Sequence, residues 1–278
     1  MDYWVCIVTR DGGETIGTTI DSITRQSVPP SFIVVVNDGS SDNTEEIVNG
    51  KSKSFNRIYV LNTNSKTRDI RRVPRLLNKG IEFSKNFPKA EYMMVSGDDN
   101  DFEQTYAESM MERMNEDKLI AVASGGWISS GGRSNQMPHG AGRFVRTSYM
   151  ERIGYKYPVA YGWEPWLLYR ALESGYKVRL FSDLRYNHLR PYNPTNLFGW
   201  GRAMYSLGFP FYFVLLRFLI NFYWPGRGTQ TRKSSITMLV GYLSIRLNKK
   251  SSKSMLIDDE KLKMFVRRYS TTRLSSIF

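Results

Sequence analysis

A cluster of oxygen-bearing side chains follows a short apolar run, Met93–Val95, in the first half of the chain. Ser96 and a glycine join this run to the adjacent carboxylates Asp98 and Asp99, and an amide and a third carboxylate come directly after them. Oxygen ligands of this kind hold hard divalent cations, which keep several waters and often complete their shell with substrate phosphates. One carboxylate would be enough to cap the helix predicted to begin at Phe102. Three carboxylates within four residues therefore predict a metal or ligand site.

Strands and helices alternate along this half of the chain. Apolar runs predict four strands, at Val5–Val8, Phe32–Val36, Ile58–Leu61 and Met93–Val95. Helices are predicted over Ile16–Ile23, from about Glu45, and over about Pro74–Phe87. This alternation is typical of an α/β protein with a mostly parallel sheet flanked by helices, in which ligands bind at the carboxyl ends of the strands. The loops Thr9–Gly13, Asn37–Asp42 and Ser96–Asp101 are therefore expected to share one rim.

Two further features of the sequence concern ligand binding. Neither a glycine-rich dinucleotide fingerprint nor a P-loop follows the first strand, so a nucleotide site here would be of another kind. Residues 124–142 are rich in glycine and serine. A stretch of that composition and length inside a domain is typical of a functional loop or a lid.

Charge is distributed unevenly over the 278 residues, which carry a net charge of +13. Residues 191–278 hold 14 Lys and Arg against 3 Asp and Glu, a net of +11, whereas residues 1–190 have a net of +2. The single cysteine, Cys6, excludes an intrachain disulfide and gives no sign of an oxidising compartment. The first residues lack the basic flank and apolar core of a cleaved signal peptide, so we expect a cytoplasmic protein.

Four short motifs occur in order along residues 3–190. They are Ser22-Ile23 with Gln26, then Val35–Asp42, then Arg72 with Asn78–Ile81 ahead of the acidic cluster, and finally Gly162–Leu167 leading to Arg170–Tyr176. As an ordered set they resemble the family 2 glycosyltransferases of the GT-A fold, which transfer a sugar from a nucleotide diphosphate donor. The resemblance implies a GT-A catalytic domain over residues 1–195.

A donor site on the rim is the first implication of this resemblance. Thr9 and Asp11 would line the base pocket of a UDP- or GDP-sugar, and Asp38 would accept a hydrogen bond from a ring N–H of the base. Arg72 would lie near the ribose and phosphates. The alternatives are a turn in which Asp38 bonds its own loop, and a solvated charge for Arg72 within the basic run 68–75.

The acidic cluster stands where the resemblance places the metal-binding motif, with Ser96 in place of the usual first aspartate. Asp98 and Asp99 would then share the ribose, the diphosphate and a Mg²⁺ or Mn²⁺ ion, with Asp99 as the expected metal contact. Such an ion neutralises charge on the departing diphosphate. His188 is a further candidate ligand, although a lone histidine is as often an ordinary residue.

Glu164 is the candidate general base of an inverting transfer. The family usually has an aspartate after this glutamate, and here Pro165 takes that place. Trp163 and Trp166 would partly desolvate the carboxylate and tune it towards base function. The alternative is structural, with Glu164 as a helix N-cap, Pro165 at the first helical position and Gly175 as the C-terminal stop.

The tail, residues 196–278, is predicted to be basic, aromatic and helical, with a last polar helix over 258–273. Its longest uncharged run, Ala203–Leu216, has 14 residues, below the roughly 18 that a membrane-spanning helix needs. Aromatic rings among arginines over 198–224, and a second apolar run at Ile236–Ile245 between basic residues, favour a helix lying in the membrane interface. The alternative is ordinary core packing.

A second implication of the resemblance comes from its membrane-associated polysaccharide and lipid-linked glycan enzymes. It suggests a glycan or lipid-linked acceptor and a peripheral position on the cytoplasmic face of a membrane.

Two other functions compete with sugar transfer. A sugar-nucleotide nucleotidyltransferase or hydrolase would use the same fold, but the glycine-rich, basic phosphate loop that it needs is weak here. A nucleic-acid-binding protein would use the basic, aromatic tail to follow phosphates and stack bases. The acidic rim does not support that function, so nucleic acid is not an expected partner.

Overall fold

The computed structural model describes residues 1–63, 71–127, 137–191, 197–224, 231–248 and 252–274. Contacts group the chain into two units, one of Met1–Tyr157 with Ser174–Pro191 and the other of Pro158–Glu173 with Tyr192–Phe278. The second unit thus includes Glu164 as well as the tail. The predicted boundary between 195 and 196 lies outside the described residues, and that division stays a prediction.

The first unit is an α/β structure built on an 8-stranded sheet with the order β3-β2-β1-β4-β7-β6-β8-β5. Its strands are β1 (Tyr3–Thr9), β2 (Ile33–Asp38), β3 (Ile58–Thr63), β4 (Tyr92–Ser96), β5 (Asn100–Phe102), β6 (Ile120–Trp127), β7 (Arg143–Arg146) and β8 (Lys177–His188). Its helices are α1 (Ile16–Thr24), α2 (Thr44–Ser54), α3 (Arg72–Ser84), α4 (Tyr106–Glu116) and α5 (Thr147–Arg152). Strands β3, β2, β1 and β4 are parallel, β7 is antiparallel to both neighbours, and β5 is antiparallel to β8. The predicted α/β class and the first four predicted strands are confirmed.

The central strands are buried on both faces. Every residue of β2 and of β4 is buried, and β1 is buried except at Val8. Ile16, Ile20 and Ile23 of α1 are buried at the helical spacing that the sequence predicts. Cover on both faces is the reason that these strands read as continuous apolar runs.

A helix follows the acidic cluster as predicted, but its predicted start at Phe102 is wrong. Asn100–Phe102 form β5, which pairs with Tyr186–His188 of β8, and α4 begins only at Tyr106. Its N-cap residue is Thr105, so none of the three carboxylates of the acidic cluster caps it. The local sequence could not reveal β5, because its partner strand lies far along the chain. The pairing places His188 opposite Asn100, next to the acidic cluster.

The glycine- and serine-rich loop predicted over 124–142 is also corrected in part. Ser124–Trp127 continue β6 and pair with β8, so they belong to the sheet. Residues 128–136 lie outside the described part of the chain. Packing accounts for the glycine at position 125 of this strand. A Cβ there would stand about 2.5 Å from the ring of the buried Tyr106, so a side chain has no room.

The regular elements of the second unit, among its described residues, are all helices. Its helices are α6 (Trp163–Glu173), α7 (Phe198–Ser206), α8 (Phe211–Tyr223), α9 (Arg232–Leu247) and α10 (Glu260–Leu274), with a short 3₁₀ helix at Lys253–Met255. The predicted final helix corresponds to α10. No helix among the described residues is long and apolar enough to cross a membrane.

Candidate active site

The carboxyl ends of β1, β2 and β4 meet at one edge of the sheet. Register pairs Thr9 of β1 with Asn37 of β2, and Ile7 of β1 with Ser96 of β4. β1 has β2 on one side and β4 on the other, and a position where strand order changes direction in this way is where ligands bind in open α/β sheets. The loops that follow these strands therefore share one rim, as the sequence predicts.

Asp98 anchors the centre of this rim. Its Oδ2 accepts a hydrogen bond from Thr9 Oγ1 at 2.5 Å, and its Oδ1 lies 3.3 Å from Arg190 Nη1. Burial raises the pKa of Asp98, and the Thr9 hydroxyl and the Arg190 guanidinium only partly oppose that effect. Arg190 Nη2 also donates to the backbone carbonyl of Asp11 at 3.3 Å. Arg190 thus joins the loop after β1 to the loop after β4.

Two glycines let the loop after β1 approach its neighbours. A Cβ at Gly12 would stand 2.5 Å from Thr9 Oγ1 and closer still to Asp98 Oδ2. A Cβ at Gly13 would overlap the side chain of Asn43. The pair is therefore required by close packing at this rim, since any side chain would displace a bonded polar group.

Asp11 and Asp42 tie the first loop to the second. The Asp11 carboxylate accepts hydrogen bonds from the backbone N–H of Ser41 at 2.8 Å and from its hydroxyl at 3.1 Å. The backbone bond from Ser41 is the main cause that lowers the pKa of Asp11. Burial acts to raise the pKa of Asp42, but hydrogen bonds from Thr44 and from the Gly13 N–H outweigh it and the pKa is lowered. Both carboxylates hold loop conformation, and Asp11 does so with a positive φ of 53°.

Asp38 lies at the end of β2 with its side chain fully buried. Its Oδ1 accepts from Thr63 Oγ1 at 2.6 Å, and its Oδ2 accepts from Arg72 Nη1 at 2.9 Å. Arg10 Nη1 lies 3.7 Å from the same Oδ2. The arginines are the partly exposed members of this cluster, so they present its outer surface. A carboxylate has about four acceptor positions, and the hydrogen bonds from Thr63 and Arg72 fill two of them.

Asp99 and His188 lie next to each other beside β5. Asp99 accepts a 2.8 Å hydrogen bond from the Leu189 N–H at its backbone carbonyl, which holds the two chain segments together. Burial lowers the pKa of His188, while the charge of Asp99 acts in the opposite direction. The neutral imidazole that burial favours is the form that binds metals.

The donor atoms at this position fit a hard divalent cation whose shell is completed by other ligands. Asn100 is fully buried, and its Oδ1 accepts no hydrogen bond from any residue that the structure describes. Among the described residues there is no group of three or more His, Cys, Asp or Glu side chains close enough to enclose a metal ion. Asp99 and His188 would thus hold a cation only with waters or phosphates as further ligands. Asp98 is already engaged by Thr9 and Arg190.

Glu164 lies in the second unit, in the first turn of α6, which begins at Trp163. An N-cap at Glu164 would make Pro165 the first helical residue, so the helix starts two residues earlier than that prediction requires. The first helical hydrogen bond runs from the Trp166 N–H to the Gly162 carbonyl, and Gly162 has a φ of +81°. A carboxylate in this turn still interacts favourably with the helix dipole. Its role as a base stays a prediction.

Two residues of the sequence motifs serve the fold. The Gln26 side chain donates to the carbonyls of Ser22 and Glu103 and accepts from the Ala107 N–H, which joins α1 to the start of α4. Asn78 makes two hydrogen bonds to the backbone of Tyr157. In both cases the side-chain amide forms hydrogen bonds with backbone N–H and C=O groups, so these groups are not left without a partner when they are buried.

Three rim residues were missed by sequence reasoning: Arg10, Thr63 and Arg190. Thr63 and Arg10 contact Asp38, and Arg190 contacts Asp98. Arg10 directly follows the predicted first strand, which was a usable signal. Arg190 had only a weak one, its position two residues beyond His188.

Comparison with known proteins agrees with this geometry. The family model described as Glycosyl transferase family 2 matches residues 4–175. The chain belongs to glycosyl transferase family 2. No curated protein sequence matches this glycosyltransferase at a significant level.

Solved structures show the same fold at low sequence identity. A mannosyltransferase, PcManGT from Pyrobaculum calidifontis in complex with GDP-Man and Mn²⁺, is 12% identical with a TM-score of 0.59, over 99% of this chain and 80% of that one. Residues 1–349 of TarS from S. aureus are 14% identical with a TM-score of 0.57, over 90% and 73% of the two chains. TarS with UDP-GlcNAc is 15% identical with a TM-score of 0.51, over 89% and 73%. The fold is therefore the GT-A fold of these neighbours.

Proposed function

We propose that this glycosyltransferase moves a sugar from a UDP- or GDP-sugar to a glycan or lipid-linked acceptor, with Mg²⁺ or Mn²⁺ and with inversion at the anomeric carbon. The observation that carries the proposal is the single rim on which the Asp38–Arg72 cluster, Asp98 and the Asp99–His188 pair come together. The donors bound to the structural neighbours, GDP-Man and UDP-GlcNAc, support a nucleotide diphosphate sugar.

Each rim group has a defined part in donor binding. Arg10 and Arg72 present guanidinium groups above Asp38, which suit the base, ribose and phosphates. Thr9 and Asp11 shape the loop around the base. Arg190 lies at the edge of the same loop and can meet the negative charge of the diphosphate.

Asp99 and His188 would hold the divalent cation together with the donor phosphates. When bound, such a cation neutralises negative charge on the departing diphosphate. Glu164 would accept the proton of the acceptor hydroxyl as the acceptor oxygen bonds to the anomeric carbon. The bond from that carbon to the diphosphate oxygen breaks in the same step, which gives inversion.

Product analysis tests the proposal directly. The full chain is incubated with UDP- and GDP-sugars, Mn²⁺ and glycan or lipid-linked acceptors, and free nucleoside diphosphate and glycosylated acceptor are measured. We expect both products in equal amounts, and loss of both in Asp99→Asn. The control Asp183→Asn removes an exposed carboxylate that pairs with Arg113, and it should retain full activity.

Other products would favour the competing enzymes. Release of nucleoside monophosphate and sugar phosphate would indicate a hydrolase, and formation of a sugar nucleotide from a triphosphate would indicate a nucleotidyltransferase. Either result, or an undiminished rate in Asp99→Asn, would refute the proposal or its metal assignment.

We also infer that the second unit attaches to a membrane surface, as a peripheral protein on the cytoplasmic face. Eight of the eleven exposed large hydrophobic side chains among the described residues belong to this unit. The residues from 191 onward also carry a net charge of +11. Exposed apolar groups with positive charge are typical of helices that lie on anionic membranes.

A further inference from the structure

We propose that α8 and α9 together form one apolar face, defined by Tyr212, Leu216, Leu219, Tyr223, Ile236, Val240, Leu243 and Leu247, that docks on an anionic lipid bilayer. This α8–α9 face deepens the proposed membrane attachment and rests on it. The occupant is a lipid surface rich in acidic headgroups.

α8 is apolar around most of its circumference but buries little of it. Val214 is its only buried residue. At about 100° per residue, Tyr212, Leu216, Leu219 and Tyr223 lie within roughly 60° of one another, on the side opposite Val214. Tyr212, Leu219 and Tyr223 are 54%, 37% and 64% exposed. The most exposed stripe of the helix is thus hydrophobic.

α9 repeats this arrangement with the same spacing. Ile236, Val240, Leu243 and Leu247 stand at positions i, i+4, i+7 and i+11, which lie on one side of a helix. Ile236, Val240 and Leu247 are 45%, 50% and 80% exposed. Charged and polar residues normally occupy the solvent side of a helix in a soluble protein.

The two helices run antiparallel beside each other. Phe211, at the start of α8, lies 4.7 Å from the guanidinium carbon of Arg246, near the end of α9. Phe222, at the end of α8, lies 6.0 Å from that of Arg232, at the start of α9. These two contacts fix the side on which each helix meets the other.

Both stripes lie on the same side of this pair. We view each helix along its axis from its first residue to its last. On both helices the exposed stripe then lies about 90° around the axis from the contact side, in the same rotational direction. In an antiparallel pair these rotations point the same way in space, so the stripes share one face. The buried Val214 and Met238 lie on the opposite face, towards the core of the unit.

The basic residues around the α8–α9 face favour an acidic lipid surface as its binding partner. Arg232, Lys233 and Arg246 are exposed at the two ends of the α9 stripe. Arg217, the one charged residue of α8, lies about 140° from its stripe, so the basic residues lie at the ends of the face and none lies between them. A second copy of the chain would bring two surfaces of the same sign together, whereas acidic headgroups complement the basic rim.

Vesicle co-sedimentation of the full chain tests the α8–α9 face. The vesicles are phosphatidylcholine alone, or phosphatidylcholine with about one-third phosphatidylglycerol. We expect binding to the acidic vesicles and a drop of about tenfold or more in the partition coefficient for Leu219→Glu and for Val240→Glu, because a charge enters the apolar contact. The matched control is Leu119→Glu, which changes a leucine of the first unit that is 51% exposed. It should bind like the wild type.

Each other outcome overturns a defined part of the proposal. No binding by the wild type would refute membrane attachment itself. Binding with equal affinity by Leu219→Glu and Val240→Glu would refute the α8–α9 face and leave attachment standing. Equal binding to both kinds of vesicle would refute the selection for acidic lipid. A dimer in light scattering that both variants dissociate, with vesicle binding unchanged, would make this face a self-association surface.

Sugar transfer to a soluble acceptor is measured on the same proteins. We expect it to be unchanged in all three variants, since none of the residues lies at the rim. Absence of transfer by the wild type, with its vesicle binding intact, would count against the proposed catalytic function alone.

Discussion

Gly12→Ala tests whether the hydrogen bond between Thr9 and Asp98 holds the rim together. The added methyl group would stand 2.5 Å from Thr9 Oγ1 and closer still to Asp98 Oδ2, the two atoms of that bond. Neither can retreat easily, because Asp98 is 8% exposed and its other oxygen faces Arg190. The substitution must therefore break or lengthen the bond.

The size of the effect follows from two opposing contributions. Loss of a buried hydrogen bond to a carboxylate costs about 1.5–3 kcal/mol. Replacing glycine by alanine stabilises the folded state by about 0.4–1 kcal/mol through the unfolded chain. We therefore expect the free energy of unfolding to fall by about 1–2 kcal/mol. Donor binding should weaken as well, because Thr9 and Asp98 line the proposed site.

Urea unfolding and donor titration measure these two effects. Gly50→Ala is the matched control, since Gly50 lies inside α2 and a Cβ there meets nothing within 4 Å. It should raise the free energy of unfolding by about 0.5–1 kcal/mol and leave donor binding unchanged. A Gly12→Ala protein as stable as Gly50→Ala, with unchanged donor affinity, would refute the reasoning.

Three further substitutions probe separate parts of the site. Arg190→Ala should raise KM for the donor by about tenfold, the effect of losing about 1.4 kcal/mol of binding free energy, with a smaller change in kcat; steady-state kinetics beside the exposed control Arg185→Ala measures it, and equal KM values would contradict it. Asp38→Asn should lower the free energy of unfolding by about 3 kcal/mol, because two guanidinium groups lose their buried partner; a urea midpoint equal to that of the wild type would count against the cluster. Glu164→Gln should lower turnover by about 10²–10⁴-fold with donor Kd unchanged, as expected for a general base; a parallel loss of donor binding, measured by calorimetry, would point to a structural role.

The sequence predicted the parallel half of the sheet well. Val5–Val8, Ile58–Leu61 and Met93–Val95 lie in strands of the structure, and so does Phe32–Val36 apart from Phe32, which directly precedes β2. These strands are covered on both faces, so their apolar runs are continuous and easy to recognise. The rim followed from the same pattern, since the polar residues after each run mark the carboxyl ends of parallel strands.

Long-range pairing explains most of what the sequence did not predict. β5 has only three residues, and its strand character depends on β8 rather than on its own side chains. The contact of Arg190 with Asp98 likewise joins residues far apart in the chain. Periodicity within a short window carries no information on such contacts.

Composition alone could not predict which residues of the apolar tail are exposed. The apolar residues over 198–224 predicted helices, but not which side of each helix is exposed. That side depends on how α8 and α9 pack, as the contacts of Phe211 and Phe222 show. Only the packing reveals that the two exposed stripes share one face.

Nucleotide affinity with and without Mn²⁺ is the most direct test of the proposed site. The Kd values of UDP and GDP are measured by calorimetry in Mn²⁺ and in EDTA, for the wild type and for Asp99→Asn. We expect Mn²⁺ to tighten the binding of at least one of them by about tenfold or more in the wild type, because Asp99 and His188 would complete a shell that the phosphates begin. In Asp99→Asn this gain should disappear. An equal gain in both proteins, or none in the wild type, would contradict a donor-dependent metal site at this rim.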